Sequence, residues 1–529
     1  MSLRIVGVSL VLALAVACGG EDGEDGEDGI SWLTAAVPAS TNDCANGGTS
    51  VQVGPDTNRN GMLDAAEVTS TSHVCNGTDG DPSDLWLVAT EEADTDRCAW
   101  GGTIVHTGKD TNGSEVLEAA EFLSTQPVCK SAVTASGSFA VWTGNGDDNK
   151  FSNPDNWQFR TVPLEGQSLR FPDEGVQKTV ENDLPLLTVF GGLAIDGGYQ
   201  FSGKKLVVLA SILVVDPIAG TPVTMAWPMV MHGGGISVDP DGAPGDELII
   251  SGAIEGVGRL VKENTGTLRL SGANTFRGGI DIAEGTLMAV GGSALPDFGD
   301  VACLGAGTLH VDAAGDSVPS LRGACAVILD GPLVLTDVDD DSYSGAMSGP
   351  GVLTKRGGGF LALTGDGGTH SGALLVQEGS VFINSDYGAT AVTVSSSATL
   401  AGNGNPGAIT VASGGTVAPG GAGPAILTSS SNVALAAGST LAVKLNGTVS
   451  GTGYDRLAAN GDIALGGSTL AVDMGFTASE GNAFTIVQCT GALTGTFAGI
   501  ADQGAVIFES QRFIVDYTAN AVILTRDDP

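Results

Sequence analysis

The chain has 529 residues, with 60 Asp and Glu against 22 Lys and Arg, a formal net charge of −38 and 81 glycines. Such acidity excludes nucleic acid as a partner and argues against anionic membrane surfaces as binding targets, because both repel a polyanion. Beyond the leader no apolar run reaches bilayer-spanning length, so no transmembrane helix is predicted.

The chain opens Met1-Ser2-Leu3-Arg4, and an apolar run over residues 5–17 ends in Ala15-Val16-Ala17-Cys18. One positive charge before a short apolar stretch predicts a signal peptide over residues 1–17, cleaved after Ala17. With a cysteine directly behind small side chains, the leader resembles those of bacterial lipoproteins, although Ala15 stands where that family more often has Leu. The resemblance implies a lipid on Cys18 and attachment to the outer membrane or cell surface; a secreted soluble protein is the alternative. Residues 18–29 contain Glu-Asp-Gly three times and no apolar side chain after Cys18, which predicts an extended, self-repelling tether.

Two cysteine pairs with equal spacing, Cys44 with Cys75 and Cys98 with Cys129, expose a tandem repeat over residues 30–77 and 84–131. Trp32 matches Trp86, Asp56 matches Asp110 and Glu67 matches Glu121. Each unit is too small for a large core, so one disulfide per unit is expected, within each repeat, adding ~3–4 kcal/mol in the chain-entropy model. Between the first pair, Asp56, Asn58, Asn60, Met62, Asp64 and Glu67 fill every ligand position of an EF-hand loop, with Gly61 at the sharp turn. Hard cations need many oxygens at one point, and this pattern predicts Ca²⁺. The second copy keeps Asp110, Asn112, Ser114, Val116, Glu118 and Glu121, but Glu115 replaces the turn glycine, which weakens the expected site. Residues 49–53 ahead of the first loop look strand-like, so these are EF-hand-like loops rather than paired EF-hands. The modules resemble short cysteine-stapled repeats found in lipoproteins of some environmental bacteria, a resemblance that implies no function.

From residue 138 to 526 short alternating apolar segments are broken by Gly, Asn, Asp and Ser, which predicts many short strands. A small-Thr-apolar step recurs, as in Gly266-Thr267-Leu268, Gly285-Thr286-Leu287, Gly307-Thr308-Leu309, Ala398-Thr399-Leu400 and Gly415-Thr416-Val417. Neighbouring copies are often one coil of a parallel β-helix apart. The fold class is therefore mainly β: a parallel β-helix body preceded by two small disulfide-stapled calcium-loop modules, with a β-sandwich array as the alternative. Cys303 and Cys325 lie one coil apart and so can meet on adjacent rungs, as a disulfide or as stacked thiols; Cys489 is left over. Gly258-Arg-Leu-Val-Lys262, Leu268-Arg-Leu-Ser-Gly, Gly278-Gly279 and Glu284-Gly-Thr-Leu287 closely resemble the autotransporter-associated β-strand repeat. A looser copy runs Gly351-Val-Leu-Thr-Lys355, Leu361-Ala-Leu-Thr-Gly365 and Gln377-Glu-Gly-Ser-Val381. Segments around Trp142, Trp157, Tyr454-Asp455 and Gly495 are similar to the start and end of such passengers. The resemblance implies a right-handed β-helix stalk displayed at the surface. No barrel strands follow Arg526, so the lipid on Cys18 is expected to serve as the anchor instead.

Some β-helices are polysaccharide lyases or hydrolases that use clustered carboxylates. The candidates here, Asp337, Asp339, Asp340 and Asp341, share one short turn-like run and read better as a solvated loop. His73, His106, His232, His310 and His370 show neither ligand nor triad spacing, and Trp142 and Trp157 are either sugar-stacking platforms or, better, caps of the β-helix end. A structural, adhesive or binding surface scaffold is thus expected, not an enzyme; its partners are the membrane, through the lipid, and an extracellular polysaccharide or cell-surface molecule. A carbohydrate-active enzyme is the second reading.

Overall fold

The computed structural model describes residues 32–45, 48–55, 63–68, 70–75, 86–92, 97, 102–112, 114, 116–129, 135, 137–184, 188–215, 221–238, 246–336 and 339–527. Two compact units are present, residues 1–137 with 164–167 and 185–191, and residues 138–163, 168–184 and 192–529. No helix among the described residues is long and apolar enough to cross a membrane.

The first unit contains one three-stranded antiparallel sheet per repeat. The first is Trp32–Pro38, Gly48–Pro55 and Ser70–Cys75; the second is Trp86–Glu92, Gly102–Lys109 and Phe122–Cys129. A strand, not a helix, leads into each acidic loop, as the strand-like residues 49–53 predict. Cys44 is buried and disulfide-bonded. Cys18, Asp56, Asn58, Asn60, Met62 and Cys98 lie outside the described residues, as do the side chains of Cys75 and Cys129.

The second unit is a parallel β-solenoid. Its longest sheet has 16 strands, running from Phe139–Val141 to Thr469–Met474. At ~4.8 Å between strands the ladder is about 70 Å long. A second face of ten strands begins at Thr179–Asn182, and a third of nine begins at Asp316–Val318. The parallel ladders exclude a sandwich array. Alternation does the building: Leu268, Leu287, Leu309 and Val327 stack in register inside the second face, and Leu260, Ile280, Val301 and Leu321 inside the long one, none more than 1% exposed. Each such side chain contributes roughly 1.5–3 kcal/mol of burial, and no rung has a complete core without its neighbours.

The threonine steps stack as expected but on two faces. Thr267, Thr286 and Thr308 form a column on the second face, whereas Thr399, Thr416, Thr440 and Thr469 form one on the long face. At one end Trp142, Phe151, Trp157 and Phe171 pack with ring centroids 5.1–6.1 Å apart. The indole of Trp142 donates to the Gln177 carbonyl at 2.9 Å and that of Trp157 to the Phe151 carbonyl at 2.8 Å. Both tryptophans are at most 2% exposed, so the sugar-stacking reading falls and the capping one stands. At the other end the parallel strands Ile426–Ser429, Arg456–Ala459 and Ala483–Cys489 are continued by antiparallel Ala521–Arg526, Gln511–Tyr517 and Gly504–Phe508. Asp455, fully buried there, accepts backbone N–H bonds from Ala425 at 2.7 Å and Lys444 at 2.8 Å, clamping successive turns.

Candidate functional site

The outward side of the long sheet carries the most chemistry. One column, read rung by rung, is Val261, Asp281, Ala302 and Arg322, and a second stretch of it is Ser342, Ala362 and Phe382. Register arises because every second residue of a strand faces out. Beside this column Arg259 donates to Asp300 at 2.8 Å across two rungs and also to Asp281; Arg322 pairs with the far oxygen of Asp300. The rung between is Gly279, at φ +78, where a Cβ would sit 2.5 Å from the Asp300 carboxylate and 2.8 Å from the Arg259 guanidinium. Only glycine leaves the bridge room.

Electrostatics fix the charge states of this patch. The Asp281 and then the Asp300 hydrogen bond hold the Arg259 pKa above its ordinary value. Burial disfavours ionised Asp300, but the Arg259 hydrogen bond and the charges of Arg259 and Arg322 outweigh it, so its pKa lies below the usual range. Arg259, Asp281, Arg322, Asp340, Asp341 and Ser342 line an open groove of about 540 Å³. One rung on, the Phe360 N–H donates to Asp340 at 3.1 Å, and the Phe360 ring meets Phe382 edge-on at 5.4 Å. The groove thus runs from the paired charges to the Ser342 rung, and the aromatic pair stands on the two rungs beyond it.

The acidic run predicted from sequence is therefore split. Asp337 lies outside the described residues, Asp339 and Asp340 are exposed, and Asp340 and Asp341 line the groove, Asp341 at an inward register position opposite Leu361. The histidines are scattered. His310 pairs with Asp330 at 2.8 Å, and buried His370 bonds Thr390 at 3.0 Å and the Gly351 carbonyl at 2.9 Å. His73 lies 2.8 Å from the Ser50 hydroxyl and 3.8 Å from Asp43, a serine–histidine–aspartate grouping that residue spacing did not announce. Ser50 and His73 are opposed on neighbouring strands, Ser50 is 5% exposed, and the Asp43 distance exceeds a hydrogen bond, so the contact is a cross-strand pair rather than a nucleophile.

Cys303 and Cys325 form a disulfide with Cα atoms 4.7 Å apart, and Cys489 is a buried free thiol. In the second acidic loop Asp110 accepts N–H bonds from Asn112 and Ser114, both at 3.2 Å; Glu121 takes two from Thr111, at 2.7 Å each. The Asn112 amide donates to Glu118 at 2.9 Å, and Ser114 bonds the Val116 carbonyl at 3.0 Å. The Thr111 bonds hold the Glu121 pKa below its ordinary value. In the first loop the Asp64 N–H donates to Glu67 at 3.1 Å, matching Glu118 with Glu121 at 3.2 Å in the second. The two loops share this closing bond, and the carboxylates of Glu67, Asp110 and Glu121 already serve the loop's own amides. Among the described residues no three His, Cys, Asp or Glu converge as a metal site.

Sequence reasoning missed the repeat lysine. Lys262 is fully buried, and its ammonium donates to the carbonyls of Glu263 at 2.7 Å, Asn264 at 2.6 Å and Glu284 at 3.1 Å. Lys355, 3% exposed, does the same for Arg356 at 2.7 Å and Gly357 at 2.9 Å. Asn264 and Gly357 both have positive φ, +58 and +79, and so do Gly285 and Gly379, +68 and +67. The signal was present, since both motifs quoted for the repeat end in this lysine.

Comparison with known families agrees with this geometry. Residues 260–289 and 353–381 match the passenger-associated-transport-repeat, each match opening two residues before a buried lysine. Residues 32–75 and 87–129 match a domain of unknown function (DUF7151). A stretch of 141 residues is 36% identical to the adhesin BmaC autotransporter of Brucella suis biovar 1 (strain 1330). That stretch is 25% of this chain and 4% of the adhesin, so the chain spans a small part of the relative it matches. The class these observations define is a parallel β-solenoid with autotransporter passenger repeats.

Proposed function

We propose that the protein is a cell-surface scaffold that works by adhesion, with the solenoid presenting its outward face to a partner. The observation that carries this reading is the pair of passenger repeats built into the solenoid's corners, together with the similarity of 141 residues to an adhesin. The leader and acidic tether support a lipid on Cys18 as the anchor. Full ligand sets in the sequence of the first loop support Ca²⁺ at Asp56, Asn58, Asn60, Met62, Asp64 and Glu67, with the weaker second loop at Asp110 to Glu121. The ion would supply rigidity there, not chemistry.

The test is threefold. Intact cells should lose the protein to added protease, a Cys18→Ala variant should leave the membrane fraction, and cells carrying the parent should adhere better than cells lacking it. Parent protein that resists protease on intact cells, or adherence unchanged by its loss, refutes the reading. A second reading, a polysaccharide lyase or hydrolase, draws on the carboxylates of Asp281 and Asp340 around one groove. New reducing ends or unsaturated products from a polysaccharide panel would favour it.

A further inference from the structure

We propose that the groove on the long sheet is a glycan-binding site for a neutral hexose chain lying along the solenoid axis. The inference rests on the adhesive-scaffold reading and gives it a ligand class. Four features carry it. The groove, about 540 Å³, falls within the ~300–1,000 Å³ span of small-molecule sites. Along its floor the small side chains Ala302 and Ser342 flank Arg322, and Ala362 follows on the next rung, so a ring can approach the sheet on either side of the guanidinium. Phe360, 36% exposed, and Phe382 stand on the two rungs just beyond the groove as an aromatic step for the apolar face of a pyranose. Asp281 toward the other end, Arg322 in the middle and Asp340 beside Phe360 offer acceptors and donors for vicinal hydroxyls.

Charge selects the class. The guanidiniums of Arg259 and Arg322 are already engaged by Asp281 and Asp300, and a further carboxylate, Asp340, lines the same space. An anionic sugar would meet net repulsion, both here and from a chain of net charge −38. A chain along the axis meets one rung about every 4.8 Å, close to the advance of one pyranose in an extended glycan. The Gly279 gap belongs to the same design, because it keeps Arg259 and Asp300 locked together instead of free to pair with an acidic ligand.

The experiment is calorimetric titration of the full chain with cellohexaose, laminarihexaose and mannohexaose, beside hexagalacturonate and chitosan hexamer. At least one neutral hexamer should bind, and Phe360→Ala and Ser342→Trp should each weaken it tenfold or more while circular dichroism stays that of the parent. Should Ser342→Trp fail to fold, Phe360→Ala, an outward-facing truncation, decides alone. Binding of none of the neutral hexamers, of the charged ones only, or of a neutral one with unchanged affinity in the variants overturns the proposal. Adherence assays separate the two readings. Adherent cells whose purified protein binds no hexamer refute the glycan site alone; non-adherent cells whose protein binds in a Phe360-dependent way refute the adhesin alone.

Discussion

Lys262 and Lys355 occupy equivalent places in two copies of one sequence repeat, yet they stand at different corners of the solenoid. Lys262 ends a strand of the long sheet and turns the chain onto the second face; Lys355 ends a strand of the third face and turns it onto the long sheet. The repeat therefore encodes a corner, strand–lysine–turn–strand, and not a particular face.

Replacing either lysine by methionine should be costly in the same way. The side chain still fits, but two or three part-buried carbonyls lose their donor, at up to roughly 1–3 kcal/mol for each group left without a partner. Urea unfolding of Lys262→Met, Lys355→Met and the double variant checks this. The losses should add, because the two corners lie several rungs apart on different faces. A midpoint within error of the parent for both single variants would refute the keystone role.

Gly279→Ala should destabilise by more than the ~1 kcal/mol of a left-handed non-glycine residue, since its Cβ also meets the Arg259–Asp300 bridge. Thermal melting of Gly279→Ala with and without Arg259→Ala separates the terms. Removing the guanidinium should recover part of the loss and leave the backbone share.

His370 makes stability depend on pH. Burial lowers its pKa from the ordinary 6.5, with the Gly351 carbonyl contact opposing. The unfolded chain thus takes up a proton near pH 6.5 while the native state does not. Stability is full above that pH, falls as the pH drops through it, and levels once native His370 is itself protonated, with about 1.4 kcal/mol lost per unit of pKa difference. The urea midpoint of His370→Gln should change less between pH 7.5 and 5.5 than that of the parent; equal changes would exonerate His370.

Reducing the Cys303–Cys325 disulfide should destabilise the solenoid by ~3 kcal/mol for a loop of this size. Native protein should resist maleimide at Cys489, whose thiol pKa burial raises, and label there only on unfolding. Mass spectrometry of labelled peptides with and without reductant reads both.

The β class, the coil length, the pairing of Cys303 with Cys325 and the capping tryptophans were legible because each is written locally, in alternation, spacing or aromatic clustering. Repeat similarity also drew attention to Gly278-Gly279 and Lys262, but not to their purpose. A buried ammonium on carbonyls, or a guanidinium passing over a glycine to Asp300, depends on which residues coil length places above one another. Those lengths vary from 17 residues between Thr399 and Thr416 to 30 between Val433 and Ile463. The groove was invisible for the same reason: Asp281, Arg322, Asp340 and Phe360 are neighbours only after the chain has wound.

The change from parallel to antiparallel pairing near the end of the solenoid bears on assembly. A parallel ladder has a raw terminal edge that can recruit the next copy of itself and grow into a fibre. Here the edge of Ala483–Cys489 is taken by Ala521–Arg526, and the two following strands fold back beside it. That hairpin acts as a stopper on one of the three edges, so a rod of stacked rungs can reach high concentration without polymerising through that side.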